Sequence, residues 1–171
     1  MIASIDAIYK LTILYMMDSV TMSLSNAIIS DFLLKENLTD YFNIQIALNE
    51  LETDGLITSS STYSTTYYSI TGDGKETLDC FHNELTPILK NHVRTYIKEH
   101  SSEIVEMLSV KTDYEISGNG YLARCDIYER GTLLTSISLQ VDTEEQAQHI
   151  CNNYRLSSSE IYAFLIRTLM K

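Results

Sequence analysis

Leu48-Asn49-Glu50-Leu51-Glu52-Thr53-Asp54-Gly55-Leu56-Ile57 and, further on, Tyr68-Ser69-Ile70-Thr71-Gly72-Asp73-Gly74-Lys75-Glu76 set the architecture of the first half of this chain. Ile44, Leu48 and Leu51 recur at i, i+4 and i+7, which predicts a helix from about Tyr41 to Asp54 with those side chains on its core face. Gly55 stops that helix, since glycine enters the left-handed conformation of a helix C-terminus without steric cost. Leu56 to Ser61 and Thr66 to Thr71, rich in Ile, Thr and Tyr, then read as two strands joined by a Ser/Thr tip. Thr71 is an N-cap for a further helix carrying Leu78 and Phe81.

Upstream, a helix is expected from near Ser4 to about Asp18, with Ile5, Ile8, Leu11, Leu14 and Tyr15 on one face. Val20 to Leu24 is short and extended. Ser25 caps a second helix that buries Ile28, Ile29, Phe32 and Leu33, and Asn37 to Asp40 is a polar turn. The order is helix, helix, helix, strand, turn, strand, helix.

The end of the third helix at Leu48-x-x-Leu51 with Asp54-Gly55-Leu56-Ile57, and the strand leading into a helix at Tyr68-Ser69-Ile70-Thr71-x-x-Gly74-Lys75-Glu76, resemble the winged-helix transcriptional regulators. The resemblance is to the PadR-like and MarR-like kinds. Across its length the chain resembles a bacterial domain-of-unknown-function family of winged-helix proteins with a small α/β C-terminal half. The resemblance implies that the third helix enters a DNA major groove while the wing touches phosphate or the minor groove. On that helix the face opposite the core holds Phe42, Ile46, Asn49, Glu50 and Thr53, with Gln45 to one side. Tyr63 and Tyr67 are the wing candidates, and Tyr68 is expected to pack inward. Gly72-x-Gly74-Lys75 lacks the spacing of a phosphate-binding loop and reads as the start of a helix.

Beyond residue 83, Thr86 and Pro87 start a long helix to about Leu108, with Ser101-Ser102 as a point where it breaks in two. Leu89, Val93, Tyr96, His100, Ile104 and Met107 form its apolar stripe. A small winged helix offers little to cover such a stripe, so a homodimer through Leu89, Val93, Tyr96 and Ile104 is expected, with cover by the C-terminal half of the same chain as the alternative. Ser109 to Ile116, Tyr121 to Glu129 and Thr132 to Val141 read as an antiparallel meander, with turns at Ser117-Gly118-Asn119-Gly120 and Arg130-Gly131. Asp142-x-x-Glu145 and Ser157-x-x-Glu160 look like two capping boxes, hence two final helices. The first buries Ala147, Ile150, Cys151 and Tyr154, the second Ile161, Phe164, Leu165 and Leu169. The expected fold is α+β: a winged helix over 1–83, a linking and dimerisation helix over 84–108, and a βββαα domain over 109–171.

Of the 171 residues, 44% are hydrophobic and 20% charged, which excludes low-complexity disorder. The longest apolar run, Leu11 to Met17, is too short to cross a bilayer, so no membrane association and a cytoplasmic location are expected. Cys80, Cys125 and Cys151 lie far apart, and His82, His92, His100 and His149 make no ligand pattern, so neither cofactor nor metal is expected. The net charge of −11 is uneven. Residues 1–83 hold three lysines (Lys10, Lys35, Lys75) against eleven acids, 3 − 11 = −8, and residues 84–171 hold nine cations against twelve acids, 9 − 12 = −3. No cation lies on the third helix or in the wing, although Lys and Arg supply most non-specific DNA affinity.

Two functions follow, and a third class is set aside. A dimeric winged-helix transcriptional regulator binding double-stranded DNA is the first, with the C-terminal half for assembly or sensing. Asn49 and Gln45 carry the amides that read adenine edges, and Glu50 accepts from cytosine. The alternative is a winged helix acting as a protein–protein interaction module without DNA binding, on the strength of Phe42, Ile46 and the missing cations. An enzyme is not expected. Asp113, Glu115, Asp126 and Glu129 lie in strands, but no nucleophile, base and orienter can be assembled around them. Lys90, Arg94 and Lys98, four apart, form one basic ridge on the long helix.

Overall fold

The computed structural model describes residues 4–170. It is mixed α+β, with seven α-helices and two three-stranded antiparallel sheets among the described residues. In order, α1 (Ile5–Asp18), β1 (Leu24–Ser25), α2 (Asn26–Lys35), α3 (Tyr41–Thr53), β2 (Ile57–Ser61), β3 (Thr66–Ile70) and α4 (Gly72–Phe81) come first. Then follow α5 (Pro87–Glu99), α6 (Ser101–Ser109), β4 (Val110–Ser117), β5 (Gly120–Glu129), β6 (Thr132–Val141) and α7 (Glu144–Leu169). Two compact units result. One holds the residues up to Ser61 together with Thr65–Ile104; the other holds Thr62–Ser64 and everything from Val105 on.

The first unit is built around α1. Packed by α2, α3, α4, α5 and β3, this helix buries Tyr9, Leu11, Ile13, Leu14, Met16 and Met17. A single apolar face was expected there, ending at Ile5. Instead Ile5 is 75% exposed and burial runs round the middle of the helix, because four helices surround it rather than one layer. Thr12 is tolerated inside since its hydroxyl donates to the Ile8 carbonyl at 2.7 Å.

The two anchors of the sequence meet at one corner. At the end of α3 the Leu56 N–H donates to the Leu51 carbonyl at 2.9 Å and the Gly55 N–H to Glu52 at 3.0 Å, with Gly55 at φ +74. This double closure satisfies carbonyls that the helix leaves open. Thr71 then ties the hairpin to that turn: its hydroxyl donates to the Gly55 carbonyl at 2.7 Å and its N–H to Leu56 at 3.0 Å. The same hydroxyl accepts from the Gly74 N–H at 3.0 Å and so caps α4. In the sheet of order β1-β3-β2 the central strand is β3, paired with β2 from Ile57↔Ile70 to Ser61↔Thr66.

The linking helix breaks in two at the expected point: α5 ends at Glu99, capped by His100, and α6 begins at Ser101. Side chains there bond back onto carbonyls of the last turn, His100 Nδ1 to Tyr96 at 2.9 Å and Ser101 Oγ to Lys98 at 2.9 Å, in competition with continued helix. Its stripe is also covered within one unit. Val93 and Tyr96 are buried, and the Tyr96 ring lies 5.1 Å from that of Phe32. The Tyr96 hydroxyl donates to Asp31 Oδ2 at 2.7 Å, and burial with that partner raises its pKa well above the usual tyrosine value. Ile104 is buried as well, and Leu89 is half-buried. The argument for a second subunit from an uncovered stripe therefore falls away at these residues.

The second unit is a meander, β4-β5-β6, with α7 lying chiefly over β4 and β5. Arg130 and Gly131 join β5 to β6 with φ of +48 and +80, the paired positive values of a two-residue hairpin turn. Two final helices were expected; α7 is a single helix of 26 residues. Ser157-Ser158-Ser159 includes neither Gly nor Pro, and serine costs a helix interior only a fraction of what those residues cost. The start is also one residue later than expected, a capping box between Thr143 and Gln146 rather than Asp142 and Glu145. Of the buried positions foreseen, Ala147, Cys151 and Tyr154 are buried, whereas Phe164 is 56% and Leu169 76% exposed. The last fully buried residue of α7 is Tyr154, and beyond it Ile161 and Leu165 are half-buried.

Cys125 and Cys151 sit buried where α7 meets β5, the thiol of Cys151 donating to the Asp113 carbonyl at 3.4 Å. Burial first, then the neighbouring Cys151, pushes the Cys125 thiol up to about 12, and burial raises Cys151 too. At pH 8 a thiol reagent is expected to modify exposed Cys80 at once and the other two only as the protein unfolds; three fast reactions would contradict the packing. Because the unfolded chain gives up these protons near pH 8.5 while the folded chain holds them, folding stability should fall as pH rises from there toward 12.

Candidate functional site: the outward face of α3

Asp40 starts α3 by accepting the Asn43 N–H at 2.9 Å and its side-chain amide at 3.1 Å. Ile44, Ala47, Leu48 and Leu51 then point inward, and the opposite face is left to solvent. On that face Phe42 is 73%, Tyr41 56% and Ile46 39% exposed.

The polar candidates around them are mostly engaged inside the chain. Gln45 is held by Asn26 in a two-way amide pair, Asn26 Nδ2 donating at 2.8 Å and Gln45 Nε2 returning at 3.2 Å. Asn26 Oδ1 also accepts the Ser30 hydroxyl at 2.8 Å, so the pair is fixed from both helices. Glu50 takes Lys10 of α1 at 2.5 Å. Thr53 donates to the Asn49 carbonyl at 2.8 Å, which leaves the exposed Asn49 side chain beside Phe42 and Ile46 as what α3 presents.

The wing candidates divide. Tyr67 is buried together with Tyr68 in the central strand. Tyr63 is half-buried in the second unit: its N–H donates to Asp113 Oδ1 at 2.9 Å, its hydroxyl to Asn152 Oδ1 at 2.8 Å, and its ring lies 4.9 Å from Tyr114. The stripe residues Leu89, Val93, Tyr96 and Ile104 belong to the interior already described.

Charge on the first unit is as lopsided in space as in sequence. Each of its three lysines before residue 84 faces an acid: Lys10 with Glu50 at 2.5 Å, Lys35 with Asp31 at 3.9 Å, Lys75 with Asp18 at 3.8 Å. The last two are exposed pairs and weak. Further along, Arg94 lies over the Tyr15 ring at 5.9 Å on an otherwise solvated ridge with Lys90 and Lys98. His92 contacts Glu36 at 2.8 Å and His100 bonds to the Tyr96 carbonyl at 2.9 Å, so the two histidines of this helix are engaged separately. No helix among the described residues is long and apolar enough to cross a membrane.

Sequence reasoning missed the Asn26–Gln45 and Lys10–Glu50 partnerships. Their members are 19 and 40 residues apart, and only the packing of α3 on α2 and α1 brings them together. No curated protein and no solved structure gives a significant match to this chain. A family model does match residues 9–169, and the chain belongs to that family, described as Domain of unknown function (DUF4364).

Proposed function

We propose that residues 5–83 form a winged helix that serves as a protein-interaction module, with Phe42, Ile46 and Asn49 at the centre of its contact face. The helix order and the small sheet β1-β3-β2 support the winged-helix reading. One observation carries the choice of partner: α3 presents a 73% exposed phenylalanine beside a half-exposed isoleucine and no cation. Exposed apolar clusters mark protein interfaces, and aromatic side chains are the usual anchors of binding energy. A polyanion needs Lys or Arg to displace its counterions.

A photo-crosslinking residue at position 42, used in the native cell, is expected to trap one protein, and Ile46→Asp to erase that adduct while leaving the fold intact. Adducts to nucleic acid, or an adduct indifferent to Ile46→Asp, would overturn the reading.

A DNA-binding transcriptional regulator is the second reading, favoured by the basic ridge of half-exposed Lys90 with exposed Arg94 and Lys98. It requires salt-sensitive binding to the DNA upstream of its own gene. With micromolar protein at low salt, fluorescence anisotropy is expected to stay flat.

A further inference from the structure

The last turns of α7 are apolar on nearly every side and open to solvent. Ile161-Tyr162-Ala163-Phe164-Leu165-Ile166 is an unbroken hydrophobic run, closed by Glu160 before it and Arg167 after it. Ile161, Tyr162 and Leu165 are half-buried, whereas Phe164 is 56%, Ile166 42%, Leu169 76% and Met170 77% exposed. A helix apolar all round is normally a buried one, and a contiguous exposed apolar patch marks a contact.

Two charges select what covers it. Residues three, four and seven apart share a helix face. Opposite the buried Ala147, Cys151 and Tyr154, α7 presents Leu156, Glu160, Ala163 and Arg167, with Phe164 at the border of that face. Glu160 and Arg167 are exposed, and neither has an ion-pair partner among the described residues. They cannot pair with each other, since they stand about 10 Å apart along the axis. The midpoint between them falls between Ala163 and Phe164, which is also the midpoint of the apolar run. A two-fold axis through this point sets Glu160 of each copy level with Arg167 of the other, and Phe164 against the small Ala163. A parallel alignment would set Glu160 against Glu160 and Arg167 against Arg167. The charges are thus self-complementary in one orientation, the property that an isologous contact requires. Each chain carries −11, so two copies repel at a distance, and the crossed pairs fix the orientation in which they meet.

We propose that α7 is the dimerisation helix of this protein, laid antiparallel on α7 of a second copy about a two-fold axis between Ala163 and Phe164, with crossed Glu160–Arg167 pairs. The contact belongs to the second unit and stands independently of what the outward face of α3 binds. The overlap, about 22 Å of helix from Leu156 to Met170 and roughly 10 Å wide, is smaller than the ~800 Å2 per partner of a standard interface, so the dimer is weak and depends on concentration.

Sedimentation equilibrium of the full chain at low salt, from micromolar to submillimolar protein, should show the mass rising from one chain toward two. Glu160→Arg and Arg167→Glu each make the crossed pairs repulsive and should weaken association at least tenfold. Neither should move the thermal midpoint of dilute protein, because both positions are exposed. The double variant Glu160→Arg/Arg167→Glu restores the crossed pairs and should dimerise like the parent. In a Cys80→Ser background, which removes the exposed native thiol, Ala163→Cys should give a disulfide-linked dimer and Leu156→Cys should not. The axis leaves the two copies of position 156 about 22 Å apart. A mass of one chain at every concentration, undiminished association in both single variants, no recovery in the double variant, or crosslinking at position 156 but not at 163 would overturn the proposal.

Discussion

Gly74→Ala is expected to destabilise the protein by about 3 kcal/mol, the upper end of the usual cost of overpacking. A Cβ at this position would lie 2.1 Å from the Leu56 carbonyl oxygen and 2.8 Å from Ile70 Cγ1. The first of these neighbours is backbone, and it is fixed: the Leu56 carbonyl accepts from Thr71 and the Leu56 N–H donates to Leu51. Relief therefore requires α4 to lift from the corner where α3 ends and the hairpin closes. Gly72→Ala, two residues earlier on the same helix, is the control, since its Cβ would meet nothing within 4 Å. Urea denaturation monitored by circular dichroism compares the two. A Gly74→Ala protein within about 0.5 kcal/mol of the parent, the scatter of ordinary surface changes, would refute the close approach.

Phe32→Ala should cost about 3–5 kcal/mol, the range for emptying a fully buried aromatic site. Phe32 is 1% exposed and is among the largest completely buried side chains. It also supports the Tyr96 ring 5.1 Å away, and Tyr96 in turn holds Asp31. Truncation thus leaves a void between α2 and α5 that helix ends anchored elsewhere cannot readily close. The midpoint of urea unfolding is the measurement, with Phe32→Leu as a milder companion expected to lose roughly a third as much. A loss under about 1 kcal/mol from the alanine variant would mean that the interface repacks freely.

Much of the fold was legible because its decisive signals are local. Gly55, Thr71 and Ser25 each act on backbone groups within five residues or across one hairpin, and all three do what their chemistry suggests. The meander was legible for the same reason, its turns being written in Gly118, Arg130 and Gly131. The misreadings arose where a local device had to compete with continuity or with distant packing. Ser157-x-x-Glu160 has the pattern of a helix start, yet nothing before it ends the helix already running. The apolar stripe at Val93 and Tyr96 is real, but the sequence could not say that Phe32 and its own helix bundle would cover it. On α3 the outward positions of Phe42 and Ile46 followed from periodicity alone. That Gln45 and Glu50 are occupied did not, since their partners come from α2 and α1.

The central strand β3 buries two consecutive tyrosines, Tyr67 and Tyr68, one toward each side of the sheet. Alternation of apolar and polar side chains normally fixes which residue faces which way, since a slip by one exchanges the two sets. Here a slip would exchange tyrosine for tyrosine, and the ring chemistry alone distinguishes neither alignment. The alignment is held beside the rings by buried Ile57 opposite Ile70, by Ser23 with Ser69 at 2.7 Å and by the Thr71–Gly55 bond at 2.7 Å. Residues flanking the two rings, hydroxyl and aliphatic alike, therefore give this hairpin a reason for one native pairing that the tyrosine pair by itself lacks.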